Sequence, residues 1–154
     1  MTVGRARGRT AVVACALALI ALALPAVAGA ELYRGQTDQG RMISVRTGAD
    51  DRPLKVRVRW FTLGCEDPDA SYSGLATFRR PFDVATKTEF ADRRVQHFSQ
   101  DDDIRINVFA RVRGTLTSDT WTGVFRATAV IRRHGRFLDR CTFGPVDWSA
   151  TLVL

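Results

Sequence analysis

Lysine and histidine are almost missing from this 154-residue chain: Lys55 and Lys87 are its two lysines, His97 and His134 its two histidines. So few imidazoles leave little for a histidine-based acid–base pair or a histidine-rich metal site. Hydrolase signatures are missing as well. There is no G-x-S-x-G, no S-x-x-K and no H-E-x-x-H, the spacings that set a nucleophile on a sharp turn or two imidazoles on one helix face. Beyond residue 30 no apolar run approaches the ~20 residues of a membrane-spanning helix. Cysteine is scarce too. Cys15, Cys65 and Cys141 are too few and too scattered for a zinc ribbon or finger.

Arginine is what the chain has in quantity, and it carries nearly all of the net charge of +7. The guanidinium fork suits bidentate recognition of phosphate or sulfate. A GC-rich genome enriches arginine codons equally well, so the count alone assigns no ligand.

The first thirty residues read as a secretory signal peptide. Arg5, Arg7 and Arg9 form a basic start, an apolar run spans Ala11 to Leu24, and Pro25 precedes the small residues Ala28-Gly29-Ala30. Cleavage is expected after Ala30, which lowers the net charge to +4 and leaves residues 31–154 as a single exported domain without a membrane span. A retained anchor is the main alternative, but the run is short of a bilayer-spanning length. Val12-Val13-Ala14-Cys15 resembles a lipoprotein box, yet its cysteine sits early in the apolar run rather than after it. Two cysteines then remain, and in an oxidising compartment Cys65 and Cys141 are expected to form one disulfide. Closing so long a loop contributes up to about 4 kcal/mol in the chain-entropy model.

Period-two alternation dominates residues 31–154. Leu54, Val56, Val58 and Trp60 share one face of a strand, with Lys55, Arg57 and Arg59 on the other. Ile104, Ile106, Val108, Ala110 and Val112 repeat the pattern, with Arg105, Asn107, Arg111 and Arg113 opposite. Trp121, Gly123, Phe125, Ala127, Ala129 and Ile131 make a third such face, and Arg126 and Arg132 lie behind it. Thr37-Asp38-Gln39-Gly40 predicts a hairpin between Leu32–Gln36 and Arg41–Arg46. Further strands are expected over Phe137–Thr142 and Asp147–Leu154. In 81–98, Val84, Ala91, Val95 and Phe98 approach a helical spacing, but Phe82/Val84 and Thr88/Phe90 alternate, and strands are the preferred reading.

The remaining chemical candidates are sparse. His97 beside Phe98, and His134 among Arg132, Arg133 and Arg136, read as surface residues. Asp101-Asp102-Asp103 and Glu66-Asp67-Pro68-Asp69 lack the spacing of a calcium loop and read as solvated turns. No metal and no cofactor are expected.

Tyr33-Arg34-Gly35-Gln36-Thr37-Asp38-Gln39-Gly40, the lone Cys65, the strand Trp121-Thr122-Gly123-Val124-Phe125-Arg126-Ala127 and the C-terminal Cys141-Thr142-Phe143-Gly144-Pro145-Val146-Asp147-Trp148-Ser149-Ala150 are together similar to a loose group of small exported bacterial β-rich proteins of unknown function. The resemblance spans most of residues 31–154. It implies export and a β fold and transfers no site residue.

The expected fold is therefore all-β, a single antiparallel sandwich or flattened barrel of about eight strands. Its core is expected to include Val56, Val58, Trp60, Ile104, Ile106, Val108, Trp121, Phe125 and Trp148. The expected function is non-catalytic, with weak binding of an anionic ligand, polyanion or envelope surface by Arg57, Arg59, Arg111, Arg113 and Arg126 on one broad sheet face. An exported hydrolase with a carboxylate-based site is the alternative, and two acids converging in a concave pocket would favour it.

Overall fold

The computed structural model describes residues 29–61, 64–100 and 103–154. The signal-peptide features from Arg5 to Ala28, with Cys15, lie outside the described residues, as do Asp101 and Asp102.

Among the described residues ten antiparallel strands form one sheet: β1 (Leu32–Thr37), β2 (Met42–Thr47), β3 (Pro53–Phe61), β4 (Gly64–Cys65), β5 (Ser73–Arg79), β6 (Val84–Ala85), β7 (Glu89–Gln100), β8 (Ile104–Thr117), β9 (Thr120–Arg133) and β10 (Arg136–Leu152). Eight of them have six residues or more, matching the expected number, although β5 was not among the strands expected. The strand order is β5-β3-β2-β1-β10-β9-β8-β7-β6, with β4 paired to β10 off this path. Among the described residues no helix is long and apolar enough to cross a membrane.

One expectation is met and another is corrected in detail. Residues 84–85 and 89–100 are strands, the preferred reading of 81–98, and the helical spacing there has no helix behind it. Phe137–Thr142 and Asp147–Leu154 are not two strands but parts of β10, which continues through a bulge between Phe143 and Val146. Gly144 takes a φ of 82° there, and Pro145 follows where no ladder donor is needed, so a break in the pattern bends the strand without ending it.

The sheet curls into a half-barrel around its own apolar side. Ile43, Val45, Val56, Val58, Phe78, Val108, Phe125 and Ile131 are fully buried. Phe78 on β5 meets Phe125 on β9 edge to face, with centroids 6.4 Å apart. The inner sides of β5 and β9 therefore face each other across the core. Phe90 sits between Trp121 (5.1 Å) and Trp148 (6.0 Å) at one end. Gly114 and Gly123 are register partners across β8 and β9, and Phe90 and Trp148 occupy the space their missing side chains leave.

The hydrogen-bonded ladder stops between β5 and β7, and side chains bridge the gap. The Gln96 amide accepts from the Thr77 N–H (3.3 Å) and donates to the Thr77 carbonyl (3.4 Å). Arg94 donates to the carbonyls of Arg79 and of Pro81, the latter at 2.7 Å. Its Nε also donates to the buried Asp92 carboxylate at 2.8 Å. A buried charge is expensive unless paired, and here its partner doubles as the cover of a sheet edge.

Cys65 and Cys141 are bonded, as expected, and stand directly opposite each other on β4 and β10.

Candidate functional site

Alternation on β1, β2 and β3 sends one set of side chains to the core and the other outward, and the outward set is basic. Ser44 of β2 pairs with Arg34 of β1 on one side and Arg57 of β3 on the other. Arg46, Lys55 and Arg79 form a second row across β2, β3 and β5. Adjacent strands stand about 4.8 Å apart, so these rows bring like charges close together.

The outward surface here is a shallow groove of about 450 Å³ lined by Arg34, Arg46, Lys55, Arg57 and Arg59. Leu32, Met42 and Leu75 supply its apolar part, and among the described residues no acidic side chain lines it. Among the described residues none of the five cations has an ion pair. Partial desolvation, then the charges of Arg57, Arg79 and Arg46, hold the Lys55 ammonium below the usual lysine range. Such a group gains from any anion that enters. One sign of charge against an apolar floor also concentrates the field.

Arg111, Arg113 and Arg126 lie elsewhere. Arg93 of β7, Arg111 of β8 and Arg126 of β9 are register partners in one row, and Arg113 follows one outward position along. They line a second depression of about 450 Å³. The expectation of one broad face is thus corrected. β3 and β8 are not neighbours, because β2, β1, β10 and β9 intervene along the sheet. Arg57 and Arg59 belong to one basic surface, and Arg111, Arg113 and Arg126 to another.

Asp83 and Asp92 both line the second depression, the convergence of acids that would favour a hydrolase. Each is held by an arginine, however. Asp83 Oδ2 is 3.5 Å from Arg93 Nε, and Asp92 Oδ2 is 2.8 Å from Arg94 Nε. Asp92 is buried in its pair, whereas Asp83 remains half exposed.

The other candidates are accounted for locally. His97 Nδ1 lies 2.7 Å from Asn107 Oδ1 on the outer surface, and His134 Nδ1 lies 3.2 Å from Asp103 Oδ1 in the β9–β10 turn. Asp67 accepts from the Asp69 N–H (3.0 Å) in a local turn. Cys65, Asp139 and Cys141 have metal-ligand proximity, but the two sulfurs are bonded to each other.

Arg34, Arg46 and Arg79 were missed in the sequence, although each alternates with a residue on the opposite face. The missing piece was the pairing of β2 with β3, which turns separate alternations into rows. No family model, curated protein or solved structure matches this chain.

Proposed function

We propose that this protein is an exported, non-catalytic binder of a linear polyanion bearing phosphate or sulfate groups, and that the groove across β1, β2 and β3 is its principal site. The signal-peptide layout of residues 1–30 supports export, with cleavage after Ala30. The Cys65–Cys141 disulfide is compatible with an extracytoplasmic setting. The observation that carries the binding reading is the acid-free groove, with five cations and no ion pair among the described residues. Arginine serves an anion there through its bidentate fork.

A groove on a curled sheet suits a flexible chain better than a flat surface. Its lining offers no aromatic ring for base stacking, which favours a sugar or phosphate polymer over single-stranded nucleic acid.

Titration of the protein with heparin at several salt concentrations tests this. Four neutralised charges correspond to a log–log salt slope near −3, at about 0.7 per charge for a flexible polyanion. Replacing Arg46, Arg57 and Arg59 with serine is expected to flatten the slope and weaken the groove while leaving the melting curve in place. A wild type that fails to bind heparin at ~0.15 M salt, where screening is already strong, overturns the reading.

A further inference from the structure

The second basic surface is more than leftover charge, because of where the curl points it. The eight long strands run β5-β3-β2-β1-β10-β9-β8-β7, and Gln96 joins the last back to the first at Thr77. In that ring the β2–β3 pair and the β8–β9 pair are four steps apart, on opposite sides. The Phe78–Phe125 contact shows that the curl brings the inner sides of β5 and β9 together through the core. Outward side chains of β2 and β8, and of β3 and β9, therefore leave the molecule on opposite sides.

The opposite side has its own binding chemistry. Arg93, Arg111 and Arg126 cross three strands in one row, and Arg105 and Arg132 pair in a parallel row. Between them lies the register pair Val95 and Phe109, each about half exposed. Among the described residues Arg105, Arg111, Arg113 and Arg126 have no carboxylate partner, and only Arg93 reaches one, Asp83 at 3.5 Å. At a strand spacing of about 4.8 Å, unpaired like charges facing each other destabilise a sheet. A bound anion relieves that repulsion.

We infer that the β7–β9 row is a second polyanion site, independent of the groove, and that the protein cross-links polyanion chains. The inference rests on the proposed polyanion binding and adds bivalency to it. Bridging two chains raises the effective concentration of every further contact, so two modest sites hold a network together.

Calorimetry with a short sulfated heparin oligosaccharide, too small to wrap the molecule, separates the two claims. The wild type is expected to bind two oligosaccharides. Arg46→Ser/Arg57→Ser/Arg59→Ser and Arg105→Ser/Arg111→Ser/Arg126→Ser are each expected to bind one, with the surviving site within about twofold of its original affinity, as distant sites behave additively. The two variants remove equal charge, so each controls for the other, and melting curves check that both fold. With long heparin the wild type is expected to give turbidity that peaks near charge balance and falls in polymer excess, and both variants are expected to stay clear. A wild-type stoichiometry of one overturns the second site while leaving the proposed function standing. Two sites with no turbidity at any ratio overturn cross-linking, because one chain then occupies both sides. Failure of the wild type to bind either form overturns both readings.

Discussion

Gln96 closes the half-barrel on Thr77 by standing in for a strand. Its side-chain amide accepts from the Thr77 N–H and donates to the Thr77 carbonyl, the pair of bonds that a neighbouring backbone residue would make. The edge of β5 is thereby covered without a continuous ladder, and the two outer basic surfaces take their opposed directions from that closure.

Gln96→Glu keeps the acceptor, removes the donor and sets a carboxylate against a carbonyl oxygen. It is expected to lower the unfolding free energy by about 1–3 kcal/mol, the cost of leaving a half-buried polar group unsatisfied. Denaturant titration measures this, and hydrogen exchange at the Thr77 amide reports the seam directly. An unchanged midpoint together with unchanged exchange at Thr77 counts against the closure.

Removing the Cys65–Cys141 bond is expected to act on two scales. The bond spans 76 residues, and Cys65→Ala/Cys141→Ala should cost about 2–4 kcal/mol overall. Locally, β4 is a two-residue strand tied to β10, and the Glu66 amide donates to the Arg140 carbonyl next door. Exchange at Glu66 is expected to accelerate more than exchange in β8 and β9. Uniform acceleration would show that the bond stabilises the whole molecule and not β4 in particular.

Alkaline pH is expected to destabilise the fold through Tyr33. Burial first, and then the 2.6 Å hydrogen bond to Glu31, push its phenol well above the usual tyrosine range. In the unfolded chain the phenol ionises near pH ~10. The folded state holds the proton longer, so this contribution is fully present below pH ~10 and is lost as pH rises toward the folded value. Tyr72, raised by burial and by Asp139 and Asp67, acts in the same direction. Tyr33→Phe should flatten the alkaline decline measured by denaturant midpoints from pH 8 to 11. Parallel declines in wild type and variant would remove Tyr33 as the cause.

Two glycine substitutions should differ widely in cost. A Cβ at Gly123 would lie 2.0 Å from the Arg113 carbonyl oxygen and 2.7 Å from the Trp148 ring. Gly123→Ala must move backbone in the central β8–β9 pair and is expected to cost about 3 kcal/mol or more, at the top of the range for overpacking. At Gly40, which has a φ of 71°, nothing lies within 4 Å, so Gly40→Ala meets only the left-handed backbone penalty of about 1–2 kcal/mol. Thermal melts of the two variants decide this, and equal shifts would contradict the packing around Trp148.

Much of the strand content was legible because alternation is a local signal. Val56, Val58 and Trp60 on β3, and Ile106, Val108, Ala110 and Val112 on β8, are buried at the positions their spacing assigned. Ile104, expected in the core, packs against it only partly buried. Gly144-Pro145 was legible as a break in the pattern but not as a bulge inside β10, since continuation depends on β9 alongside. Residues 84–98 were ambiguous because their apolar spacing suits either period, and pairing with β8 resolved them as strands. The basic residues were legible singly, whereas their grouping was not.

On β3, β8 and β9 the sequence by itself determined most of which side chains face the core and which face outward, because a strand's period of two depends on nothing beyond its own residues. It also determined the cysteine pair, since residues 31–154 contain no third cysteine. Only the tertiary structure decided that the outward arginines form two opposed surfaces. That outcome depends on strand order and on the curl that brings β5 to β7, and both arise from contacts between residues far apart in the chain.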